Sequence, residues 1–260
     1  MNLLNIAFYR FASLENPEQW KDRIETAYSK LDIKGTMLIA EEGLNGFLAG
    51  PESAVRSAID FLQKQKEFKN LTIKESRSNF IPFERLSIKV KSEIVTFRVP
   101  GCGPLLHATQ RIPPEELAKW YERGEEFTVL DTRNEYEFRL GKFAKAESLQ
   151  INQFVEFPEK ARKLPESWKK RKIVTYCTGG IRCEKAAPFL EALGFEEVYQ
   201  LDGGVLNYFE KVGSKNWEGE CFVFDQRVAL DSNLSATGAS LCSKCQGPIP
   251  KGASCPHCGA

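Results

Sequence analysis

Along the first hundred residues the apolar positions alternate between strand-like runs and helical spacing, and the order of these segments predicts a fold. Leu3 to Phe11 is a continuous apolar run of strand character. Asn16-Pro17-Glu18-Gln19 then places a capping side chain, a proline at the first helical position and a glutamine at the third, so a helix begins there. Trp20, Ile24, Tyr28 and Leu31 give that helix one buried face. Gly35 to Ala40 reads as a second strand, Gly43-Leu44-Asn45-Gly46 as a turn and Phe47-Leu48-Ala49 as a third strand, together a hairpin. Pro51 opens a second helix with Val55, Ala58, Ile59 and Leu62 on one side, and Leu71-Thr72-Ile73-Lys74 supplies a fourth strand. The order β-α-β-β-α-β predicts a ferredoxin-like (acylphosphatase-like) α+β domain over residues 1–100. Ile88 to Val99 adds one or two strands before Pro100-Gly101-Cys102-Gly103-Pro104 breaks the pattern.

The second half reads differently. A connector over 101–124 contains a helix start at Pro113-Pro114-Glu115-Glu116-Leu117. Val129-Leu130, Ile173-Val174-Thr175-Tyr176 and Val198-Tyr199-Gln200-Leu201 are short apolar strands, and Glu184 to Leu193 is a helix stopped by Gly194. These predict a central α/β domain over 125–218 with a parallel sheet and its pocket at the carboxyl ends of the strands. Residues 219–260 form a C-terminal segment.

At 260 residues the chain can form two domains and a tail. A net charge of +1 makes no overall electrostatic case for nucleic acid, so any such case rests on local patches. No apolar run approaches a membrane span, and Met1 to Trp20 lacks the pattern of a secretory signal, so a cytoplasmic location is expected. Eight cysteines there point to catalysis or metal ligation before disulfides.

Cys177-Thr178-Gly179-Gly180-Ile181-Arg182-Cys183 carries the candidate chemistry. It joins a buried strand to a helix, so Cys177 meets inward-pointing amides, a helix N-terminus and Arg182, all of which favour a thiolate. Four residues separate Cys177 from Arg182, whereas phosphatases on a similar scaffold space the pair by five to fit a phosphate. The tighter ring suits a single sulfur or oxygen atom. This loop resembles the active loop of rhodanese domains, whose cysteine carries a persulfide. Val129-Leu130-Asp131-Thr132-Arg133, Glu135-Tyr136-Glu137 with Gly141, and Asp202-Gly203-Gly204 fit the same pattern, while Lys142-Phe143 stands where the family has a histidine, so access to the pocket is expected to differ. Asp131 and Arg133 are expected to pair and brace the loop. Cys183 either resolves an oxidised Cys177 or is packed and inert.

In the tail, Cys242-Ser243-Lys244-Cys245 and Cys255-Pro256-His257-Cys258 are two Cys-x2-Cys pairs, with Gly247 and Gly259 placed to turn each knuckle. Four thiolates in that spacing suit a structural Zn2+, with His257 left out; redox-active cysteine pairs or iron are the alternatives. Two basic stretches, Lys160, Arg162, Lys163 and then Lys169, Lys170, Arg171, Lys172, are either an RNA-backbone site or a solvated surface. The same choice applies to Arg77, Arg85, Lys89 and Lys91. Phe8, Tyr9 and Phe11 are either base-stacking residues or core.

As a whole the chain resembles the rhodanese-containing tRNA uridine hydroxylases. The strings that carry the resemblance are Gly35 to Gly46, Leu86 to Val95, Tyr176 to Cys183 and Gly219 to Val228. A short tail and the Gly101 to His107 connector depart from it. The resemblance implies oxygen-dependent conversion of the wobble uridine in the tRNA anticodon loop to 5-hydroxyuridine. No iron triad or nucleotide fingerprint is present, and no organic cofactor is expected. A sulfurtransferase carrying persulfide on Cys177, and a non-catalytic RNA or protein adaptor, are the competing readings. The sequence leaves oligomeric state open.

Overall fold

The computed structural model describes residues 3–256, 258 and 259. The chain divides into two compact units, Met1–Thr96 and Phe97–Ala260.

In the first unit, β1 (Leu3–Phe11), α1 (Pro17–Tyr28), β2 (Lys34–Ala40), β3 (Gly43–Gly50), α2 (Glu52–Gln63), β4 (Thr72–Ser78) and β5 (Leu86–Val90) form a sheet of order β4-β1-β3-β2-β5. The first four strands are antiparallel and β5 joins β2 in parallel. The Asn16 carboxamide accepts from Gln19 N at 3.1 Å and starts α1 as its sequence predicts. Leu4, Ile6 and Phe8 of β1 pack with Ile24, Tyr28, Val55 and Leu62 of the two helices in one core. The predicted turn at Gly43 to Gly46 is instead the start of β3, and only Glu41-Glu42 make the hairpin turn. These glycines serve close packing: a Cβ on Gly43 would lie 2.0 Å from Arg10 O, and one on Gly46 2.5 Å from the Phe8 ring. Beyond β5 the chain is irregular, with Ile94 held by Glu42 and Asn45. Phe8, Tyr9 and Phe11 are all buried, so they are packing residues. Arg77 pairs with Glu52, while Arg85 just before β5, Lys89 within it and Lys91 just after it are exposed.

The second unit is built on a fully parallel sheet of order β6-β11-β10-β7-β9. Its elements are β6 (Gln110–Ile112), α3 (Pro114–Arg123), β7 (Thr128–Asp131), α4 (Glu135–Leu140), β8 (Gly141–Phe143), β9 (Ala146–Ser148), α5 (Phe157–Ala161), β10 (Lys172–Tyr176), α6 (Cys183–Ala192), β11 (Glu197–Leu201) and α7 (Gly204–Val212). β6 and α3, in the stretch read as connector, belong to this sheet and its core, through Ile112, Leu117 and Trp120. So does much of the stretch read as tail. β12 (Trp217–Gly219) pairs with β8, and the hairpin β13 (Cys221–Phe222) with β14 (Ala229–Leu230) contributes Cys221 and Leu230 to the same core. A last hairpin, β15 (Ser240–Leu241) with β16 (Pro248–Ile249), carries the four clustered cysteines. Of the Lys142-Phe143 pair that follows Gly141, Lys142 lies over the Phe138 ring and Phe143 sits in an aromatic cluster edge-on to Tyr176, Tyr208 and Trp217.

Candidate active site

β10 ends at Tyr176, and the next residue, Cys177, begins the loop that runs into α6. Its sulfur accepts a hydrogen bond from Gly180 N at 3.1 Å. Burial alone would raise this thiol. The Cys183 side chain, the Arg182 charge and the amides of Arg182 and Gly180 outweigh burial and bring Cys177 down to about 6. Cys183 moves the other way, pushed well above the thiol range by burial and by the neighbouring Cys177; its sulfur also lies 3.7 Å from Thr132 Oγ1. The two thiols therefore hold their protons unequally, with the charge on Cys177.

The loop keeps its shape because its carbonyls are bonded outward. Val205 N and Leu206 N, at the start of α7, donate to Cys177 O at 3.0 Å and Thr178 O at 3.1 Å. Gly204 makes this approach possible. It adopts φ +65°, and a Cβ there would lie 2.4 Å from Cys177 O and 2.8 Å from Gly180 N. A Cβ on Gly179 would meet nothing within 4 Å, so the loop is open on that side. Cys177 itself is 1% exposed, Thr178 and Arg182 are buried, and Gly179 and Ile181 are partly exposed.

Arg182 is held by a residue absent from the candidate set drawn from sequence. Glu137 of α4 binds it with both oxygens, at 2.6 and 2.9 Å, and both side chains are buried. Burial would raise Glu137, but Arg182, Arg133 and the Asn134 amide keep its carboxyl below the usual range. Sequence did carry a signal: Asn134 and Glu137 have capping-box spacing, and Glu137 accepts from Asn134 N at 3.1 Å. Asp131 and Arg133 form a fully buried pair at 2.7 Å, and the guanidinium also donates to Gly141 O at 2.6 Å and lies over the Tyr176 and Trp217 rings. They brace the strand end from which Cys177 emerges. The β13–β14 hairpin borders the same loop: Thr178 Oγ1 donates to Phe222 O at 3.3 Å, and the Arg182 guanidinium lies 5.7 Å from the Phe224 ring centroid.

The basic stretches separate in space. Lys172 opens β10, about 16 Å from Cys177 along an extended strand, so Lys169 to Lys172 sit toward the opposite end of the sheet. Lys169 pairs with Glu166, Lys172 with Glu125 and Lys163 with Glu159. Arg171 lies over Trp168, and Lys160 and Lys170 are exposed. α5 packs on α6, with Arg162 stacked on Phe189.

Cys242, Cys245, Cys255 and Cys258 bring their sulfurs within 4.8 Å of one another. Cys242 and Cys258 are 3.7 Å apart and Cys245 and Cys255 3.5 Å, close to the ~3.8 Å edge of a tetrahedron with ~2.3 Å metal–sulfur bonds. The donor set thus fits a tetrahedral, thiophilic ion. Gln246, at φ +60°, turns the first knuckle where Gly247 was expected to; Gly259, at φ +72°, serves the second as expected. His257 lies outside the described residues. Among the described residues no helix is long and apolar enough to cross a membrane.

A parallel sheet ending in a cysteine loop, joined to a βαββαβ sheet, defines a rhodanese-type protein with an acylphosphatase-like domain. Residues 3–94 match the family described as "UPF0176 acylphosphatase like domain" and residues 113–211 the "Rhodanese-like domain". A protein of Cupriavidus necator named tRNA uridine(34) hydroxylase is 38% identical over 99% of this chain and 97% of its own. One of the same name from Burkholderia mallei is 38% identical over 96% of this chain and 87% of its own. The rhodanese-like domain of an Anabaena protein is 28% identical, covering 43% of this chain and 80% of that one, with a TM-score of 0.36. The chain belongs to the tRNA uridine(34) hydroxylase family of enzymes.

Proposed function

We propose that this enzyme hydroxylates the wobble uridine of tRNA at C5, with Cys177 as the reacting thiol and O2 as the oxygen source. One observation carries the reading: in a chain of this family, the Cys177 sulfur is brought down to about 6 by amides and a pinned arginine. A thiolate adds to C6 of uracil and leaves C5 electron-rich. C5 then takes an OH group from a peroxide-level species, made from O2 by a cellular two-electron reductant, as the O–O bond breaks and the second oxygen leaves as water. Loss of the C5 proton and departure of the thiolate from C6 restore the ring as 5-hydroxyuridine. An anticodon loop suits such a pocket because its base unstacks readily. Its backbone would meet Lys160, Arg162 and Lys163 on the α5 side, since α5 packs on the helix that starts at the site. The four clustered cysteines hold a structural Zn2+, which orders the tail and takes no part in the reaction. The setting is the cytoplasm, in keeping with a tRNA substrate and eight unbridged cysteines.

Mass spectrometry of tRNA from cells carrying Cys177→Ala in place of the wild type tests the reading. The expected result is loss of 5-hydroxyuridine and its derivatives; an unchanged level rejects Cys177 as the reacting group. Rapid thiocyanate formation from thiosulfate and cyanide, with no effect on tRNA, would replace the reading by persulfide transfer.

A further inference from the structure

Among the described residues two phenylalanines are exposed, Phe80 and Phe224, and Phe224 stands at the active loop. Phe224 is 47% exposed, so part of its apolar surface is open to a partner. The ring is nevertheless held in a fixed direction. It meets Phe222 edge-on at 5.1 Å and 87°, and Phe222 is tied to the loop through Thr178. Its turn is closed by Val223 N donating to Val228 O at 2.9 Å and by an Asp225–Arg227 pair at 2.6 Å whose side chains are themselves buried. Arg182, pinned by Glu137, lies 5.7 Å from the ring centroid. A rigid aromatic ring beside a reactive loop is a stacking surface already ordered before its partner arrives.

We propose that Phe224 is the platform on which the extruded uracil stacks as it is presented to Cys177; the assignment rests on the hydroxylase reading above. Stacking by a π-face is tolerant of Tyr or Trp and is not reproduced by an aliphatic side chain of similar size. The full-length protein is expressed in a host lacking the activity, and the initial rate of 5-hydroxyuridine accumulation is measured per unit of protein. Phe224→Ala and Phe224→Leu are both expected to fall about 10-fold or more, while Phe224→Tyr stays within about 2-fold of wild type. The pH midpoint of Cys177 alkylation reports the loop independently and is expected to stay in place in all three. Wild-type rates in Phe224→Leu, a loss in Phe224→Tyr equal to that in Phe224→Ala, or a rate loss that tracks a shifted alkylation midpoint overturns the assignment. A wild-type protein without hydroxylation sinks the parent reading and this assignment with it.

Discussion

Whether the Cys177 sulfur reacts depends on which of two adjacent thiols is charged, and the surroundings settle that in favour of Cys177. Because its folded pKa is lowered from the ordinary 9.0 to about 6, alkylation by iodoacetamide should be near its plateau above about pH 7 and fall about tenfold per unit below 6. The sign for stability follows: the lowered thiol stabilises the fold above the unfolded pKa, and that contribution is lost as pH falls through about 6. An alkylation midpoint near that of a free thiol would contradict the amide and arginine account. Glu137 acts one step back. Glu137→Gln leaves Arg182 buried without its carboxylate, and a loss of about 3 kcal/mol is expected, read as a lower urea midpoint.

At the scale of elements, the loop depends on α7 approaching it closely. Gly204→Ala should push a methyl group into Cys177 O and Gly180 N, spoil the inward amides and move the alkylation midpoint up toward a free thiol. Gly179→Ala is the control, since the added carbon meets nothing and the midpoint should hold. Equal behaviour of the two variants would show that the α7 contact does not shape the site.

Across the whole molecule, the sheet core and the cysteine hairpin depend on different forces. The parallel-sheet unit buries a broad apolar cluster, whereas the described residues of 240–259 bury little beyond Cys242, Pro248 and Cys255. Treatment with a strong chelator should therefore raise hydrogen exchange in 240–259 and leave exchange in β7, β10 and β11 unchanged. A tail that stays protected without metal would refute the zinc reading.

Local spacing was enough to read the βαββαβ order, the strand–loop–helix around Cys177 and the paired cysteines, because periodicity, caps and ligand spacing act within a few residues. The glycines of β3 were misread as a turn because a glycine needed for close packing and one needed for a bend look alike in sequence. Glu137 on Arg182, Gly204 beneath the loop and the Phe222 carbonyl on Thr178 join residues dozens of positions apart. Lys172, by contrast, precedes Cys177 by only five residues yet stands at the other end of the sheet, since an extended strand carries its two ends apart. The sequence by itself determined that a cysteine stands between a buried strand and a helix and that four others fall in two close pairs, because such spacing is local; only tertiary packing decided what pins the arginine, what shapes the loop and what stands beside it.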